Sequence, residues 1–272
     1  MKTILLHVSD EATLDHRLQS ALAVARCFGS HLRCLQVTPM EAYVAMNGLG
    51  GMFVMGDLLK AIEDSEATLR RTLEERLPRE GVSWDFQQTT GSVAHALASY
   101  AALCDLVVTS RIPENAPHAF PGSNVADIVQ QCRTPVLVPA PDGTVFDPLA
   151  PVLIAWNRSF EAAHAIKGAL PLLRQAAEVH VLTVVHTDSE RPDFPGTMLL
   201  EYLSRHDVHA ELHEDAAPRH DVADRIVSGA REVGAGTVVM GAYGHSRIGE
   251  YWLGGVTRRL LRDAPVAVIT GR

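Results

Sequence analysis

No stretch of the chain stays apolar for the roughly 18 residues that a membrane-spanning helix requires, so membrane partners are not expected. The opening, MKTILLHVSDE, has one lysine and a short apolar run that ends in acid. It lacks the longer apolar region and small-residue cleavage site of a secretory signal, and reads as a first β-strand. Cysteine is scarce: Cys27, Cys34, Cys104 and Cys132 are scattered through the first half, with no CxxC pair. That excludes a disulfide framework and a zinc knuckle, fits a reducing cytoplasm, and predicts buried structural thiols. Positive charge is also short. Lys and Arg number 24 against 32 Asp and Glu, a net charge of −8. Phosphate backbones demand a basic footprint, so nucleic acid is not an expected partner.

What is present is core-forming material and a repeat. Hydrophobic residues make up 47% of the 272-residue chain and charged ones 21%, the balance of a globular protein. The stretch KTILLHVSDEATLDHRLQSALAVARCFGSHLRCLQVTP has the same order of features as APVLIAWNRSFEAAHAIKGALPLLRQAAEVHVLTVVHT. CDLVVTSR then matches AGTVVMGAYG in position, and CRTPVLVPA matches DAPVAVITG. Two copies of one unit are therefore expected, over 1–141 and 151–272, joined by the proline-rich PAPDGTVFDPLAP.

The strand candidates are continuous apolar runs, as in parallel sheets covered on both faces. They fall near 3–8, 32–37, 82–88, 105–109 and 135–139, then 151–156, 179–185, 208–213, 236–240 and 265–270. Helical periodicity places helices near 12–28, 57–77, 92–103 and 122–132, then 159–176, 195–206, 220–233 and 254–262. Strict alternation predicts two doubly wound, five-stranded parallel α/β domains.

Ligands of such sheets bind beyond the carboxyl ends of the strands, where strand order reverses. At that place in the second copy lies GAYGHSRIGEYWLGGVTRR. Gly241 is expected to supply backbone angles closed to other residues as its strand ends. Gly244 and Gly254 leave room for an anion over successive N–H groups, and His245, Ser246 and Arg247 add donors. The following helix, from Gly255 and Val256 onward, offers its free N-terminal N–H groups.

The duplicated unit and the pattern Gly241-x2-Gly244-x9-Gly254 resemble a tandem universal stress protein of the ATP-binding branch. The resemblance covers nearly the whole chain. It implies ATP or a related adenine nucleotide with Mg2+, and a role in stress endurance. It also implies that Asn157 contacts the nucleoside, that the strand at Val184 lends backbone groups to adenine, and that Gly241, Gly244, Gly254 and Gly255 hold phosphates. Fifth strands that pair the two copies into an internal pseudo-dimer follow as well, and a further homodimer is compatible with it. Two positions depart from the pattern. Asn157 replaces an Asp, and Gly255 stands where a Ser or Thr is expected, with Thr257 the nearest hydroxyl. Neither supplies a metal carboxylate or a base, so a nucleotide-responsive binding protein without catalytic residues is expected, ahead of a slow ATPase or a ligand-free scaffold.

The first copy departs further. Matched by distance to Gly122, Thr109 and Ile112 replace the leading glycines, Pro113 and Pro117 remove N–H donors, and only Gly122-Ser123 survives. Ser9 stands at the Asp position, so no nucleotide is expected there. His206, His209, His213 and His220 crowd one stretch, where an exposed polar strand face is preferred to a metal site. His7 reads as a hydrogen-bonded interior histidine, and the Gly- and Met-rich 39–59 as a connection over its own domain.

Overall fold

The computed structural model describes residues 1–39, 52–111, 124–185, 195–242 and 255–272. The first half runs β1 (Thr3–Val8), α1 (Leu14–Phe28), β2 (His31–Pro39), α2 (Met52–Arg76), β3 (Trp84–Gly91), α3 (Val93–Tyr100), β4 (Leu106–Val108), α4 (Val125–Gln131) and β5 (Val136–Val138). The second runs β6 (Val152–Ala155), α5 (Phe160–Leu173), β7 (Val179–Val185), α6 (Gly196–Ser204), β8 (Glu211–Ala216), α7 (Val222–Glu232), β9 (Thr237–Gly241), α8 (Gly255–Asp263) and β10 (Ala267–Gly271).

The ten strands among the described residues form one sheet, in the order β3-β2-β1-β4-β5-β10-β9-β6-β7-β8. Every pairing is parallel except the central one, where β5 meets β10 antiparallel. The register makes the internal symmetry explicit. Ile4 pairs with Leu106 and Val107 with Val136 in one half; Val152 pairs with Thr237 and Val238 with Val268 in the other. By these ladders Leu137 corresponds to Ile269, and those two residues face each other across the junction. A pseudo-two-fold axis passes between them. Pairing β5 with β10 also removes two open edges that would otherwise invite aggregation.

Helices cover both faces. One core lies under α1, α2, α5 and α6, the other under α3, α4, α7 and α8, and each draws residues from both halves. Two arginines tie the halves together. Arg111, just past β4, donates to the Leu261 carbonyl at 2.6 Å and the Val266 carbonyl at 3.3 Å, capping α8. Arg272 donates to the Gln130 carbonyl near the end of α4 at 3.0 Å. Burial draws the Arg111 guanidinium down to about 10, partly opposed by Asp263. The link between halves is tied down as well: the Phe146 N–H donates to Ser20 Oγ on α1 at 3.2 Å, and the Phe146 ring is buried.

Some expected boundaries move. Strand β8 begins at Glu211, because Asp207 takes a left-handed φ of 60° and the Val208 N–H closes α6 onto the Leu203 carbonyl at 3.0 Å. His209 therefore precedes the strand. Helix α2 starts at Met52, so the last residues of the expected 39–59 connection are helical, while 40–51 lie outside the described residues. Cys34, Cys104 and Cys132 are buried, as expected of structural thiols, and burial pushes Cys34 and Cys132 up to about 12. Cys27 is the exception: it lies exposed near the end of α1, where the helix faces water.

Candidate functional site

In the second half the carboxyl ends of β6 and β9 lie side by side, with Ala155 opposite Met240. The chain leaves β6 into α5 on one face, and α8 after β9 packs on the other, so the sheet order reverses here, the place where ligands of such sheets bind. Ser159 caps α5, its Oγ accepting from the Ala162 N–H at 3.1 Å, which fixes where that helix begins. Immediately before it, the exposed Asn157 folds into an Asx turn, Oδ1 accepting from the Ser159 N–H at 3.2 Å. That bond uses the oxygen and leaves the amide NH2 directed outward from the turn.

Gly241 ends β9 at the same edge, but for a reason different from the one expected. Its φ lies outside the left-handed region; the constraint is space. A Cβ on Gly241 would stand 2.4 Å from the Ala162 nitrogen and 2.7 Å from the Glu161 carbonyl carbon, both backbone atoms of the first turn of α5. Gly271 on β10 makes a similar approach, its Cβ position lying 3.1 Å from Ala165 Cα. Bare backbone on the strands thus receives the start of a helix. Gly255 opens α8, exposed, with nothing among the described residues within 4 Å of its Cβ position. Val256 is half-buried, and Thr257 is buried at 8% exposure, facing inward from α8. Val184 is half-buried near the carboxyl end of β7. Gly244, His245, Ser246, Arg247 and Gly254 lie outside the described residues.

Arg158 was not singled out in the sequence. It follows Asn157 with a left-handed φ of 63°, and its Nη2 donates to Glu214 at 3.3 Å, while its Nε is buried without a partner.

The corresponding strand ends of the first half carry a buried polar network. The strand registers place Ser110, not Thr109, opposite in role to Gly241. Thr109 corresponds to Met240. In the matched sequences, the offset that sets Ser9 against Asn157 sets Arg17 against Ala165. Arg17 is fully buried; its Nη2 donates to Ser9 Oγ at 2.9 Å, and its Nη1 lies 3.6 Å from Glu11. Ser9 in turn donates to Glu11 at 2.8 Å. Burial lowers the Arg17 guanidinium from its ordinary range, against the opposing pull of Glu11. His7 is buried beneath, its Nδ1 3.3 Å from Thr109 Oγ1, and burial together with Arg17 holds it well below the usual histidine range. The interior reading of His7 therefore matches its surroundings. Ile112, Pro113, Pro117, Gly122 and Ser123 lie outside the described residues.

The universal stress protein family model matches twice, over residues 1–139 and 149–270. The chain belongs to the universal stress protein family. A universal stress protein of Synechocystis sp. is 24% identical over 299 residues, covering 100% of both chains. A solved universal stress protein from Archaeoglobus fulgidus superposes with a TM-score of 0.74 at 16% identity, over 99% of this chain and 98% of that one. A putative universal stress protein from Pseudomonas aeruginosa follows at 0.61 and 17%, over 100% and 93%. These likenesses establish the tandem α/β fold. Among the described residues, no helix is long and apolar enough to cross a membrane.

Proposed function

We propose that this tandem universal stress protein is a stress-response regulator that binds an adenine nucleotide in its second half and does not turn it over. The observation that supports this reading is the reversal of strand order at the carboxyl ends of β6 and β9, the place where such sheets take their ligands. Asn157 follows β6 there, Gly255 starts the helix that comes after β9, and β7 with Val184 is the next strand. The donor set suits a nucleotide. The Asn157 amide can meet a sugar hydroxyl, strand backbone can meet a base, and the helix start favours phosphate. Asn157 carries no charge, so Mg2+ would be held by the phosphates and not by this side chain. Free thiols, three of them buried, suit a reducing cytoplasm.

Titration of the full chain with a fluorescent ATP analogue tests the reading. Saturable binding is expected, changed little by omitting Mg2+. Gly255→Glu places a carboxylate in open space at the α8 N-terminus and is expected to weaken binding by about tenfold or more, since an anion there opposes both phosphate and dipole. Absence of any affinity below millimolar ATP would remove the proposal.

A further inference from the structure

The histidine-rich stretch assembles differently from its spacing in the sequence. His206 packs against Tyr202 with the rings tilted by 56° and 4.6 Å between centroids, His220 pairs with Asp221, and His209 is exposed ahead of β8. Only His213 of the four enters a cluster, and its partner comes from the neighbouring strand. The β7–β8 register sets His180 opposite Glu211 and Leu182 opposite His213, so all four residues share the face beneath α7.

Three ligand atoms converge there. His180 Nδ1 lies 3.2 Å from His213 Nε2. A Glu211 oxygen lies 3.8 Å from the first and 4.0 Å from the second. An ion bound tetrahedrally at about 2.0–2.1 Å from imidazole nitrogen spaces its ligand atoms roughly 3.3 Å apart. The two nitrogens already stand at that spacing. Glu211 is 77% exposed and needs only a rotamer adjustment of its free end to close in.

The tautomer is also prepared. His180 is buried, and its Nε2 faces Glu178 Oε2 at 3.3 Å. A carboxylate accepting from Nε2–H leaves Nδ1 as a bare lone pair directed at His213, the usual arrangement behind a metal-bound imidazole. Charge points the same way. Glu178 and Glu211 pair only with histidines among the described residues, whereas Asp215, further along the same face of β8, is already neutralised by Arg225. Two carboxylates and two imidazoles without a lysine or arginine form a site in want of a cation.

We propose that His180, His213 and Glu211 bind a divalent transition-metal ion, with Zn2+ the best match to two imidazoles and one carboxylate, and with water in the fourth position. The ion clamps the edge strand β8 to β7, independently of the nucleotide site.

The test is titration of the chelator-treated full-length protein with Co2+, followed by its visible d–d absorption. One equivalent with the intense spectrum of tetrahedral Co2+, displaced by Zn2+, is expected. His213→Gln, at a half-exposed position, is expected to weaken binding about 100-fold, and Glu178→Ala about tenfold through loss of the Nε2 acceptor. His209→Gln is expected to bind as wild type does. Zn2+ is also expected to raise the melting temperature of wild type and not of His213→Gln. Undiminished binding by His213→Gln, equal loss in His209→Gln, or a weak octahedral spectrum in wild type would overturn the site.

Discussion

The two halves share one fold and treat the same edge of the sheet in opposite ways. In the second, Gly241 and Gly271 let the start of α5 rest on bare strand backbone. In the first, a full-length arginine takes the position of Ala165. Its guanidinium engages Ser9, and Glu11 and His7 complete an internal polar network. The linker adds a second asymmetry. Phe146 lies against α1 near Ser20, while the corresponding face of α5 at Gly168 borders an open cleft of about 680 Å³ beside Pro135. Duplication thus preserves strand order and junction, which the shared cores require, and leaves the strand ends free to diverge. One copy carries a buried polar network there.

Substitutions can break that contrast. The largest effect is expected for Gly241→Ala. The added methyl meets backbone that cannot step aside, and about 3 kcal/mol of stability is expected to be lost in chemical denaturation. Arg111→Met comes next. It removes a buried guanidinium from two carbonyls of the other half, at a cost of about 2 kcal/mol.

The first-half network predicts a pH dependence. His7 is held neutral in the folded state, while in the unfolded chain it takes up a proton near pH 6.5. Below that pH the unfolded state binds the extra proton, so stability falls as pH falls. Denaturation midpoints measured from pH 7 to pH 5 are expected to show this. His7→Gln flattens the slope by up to about 1.4 kcal/mol per pH unit. Ser110→Ala is expected to do least, within about 0.5 kcal/mol. The position already accommodates a Cβ, and the lost hydroxyl has no partner. Equal responses at Ser110 and Gly241 would show that the two edges are alike after all.

The architecture was legible because short, mostly apolar runs such as TILLHV and VLIA fit strands buried on both faces, and because the repeat doubled every signal. Local turn chemistry misled at β8, where the left-handed Asp207 postpones the strand by three residues relative to the expected start at 208. Long-range packing was not legible. Nothing near Gly241 in sequence announces the first turn of α5, and Arg17 reads as an ordinary helix residue until the fold buries it. The His180–His213 contact was hidden for the same reason, since cross-strand register joins residues 33 apart.

The central claim is that only the second half retains a ligand site. Photolabelling of the full chain with azido-ATP, followed by peptide mapping, tests it most directly. Label is expected on peptides from 151–272, at one site per chain, competed by ATP and lost in Gly255→Glu. Competable label on peptides carrying Ser9, Arg17 or Ser110 would contradict the account.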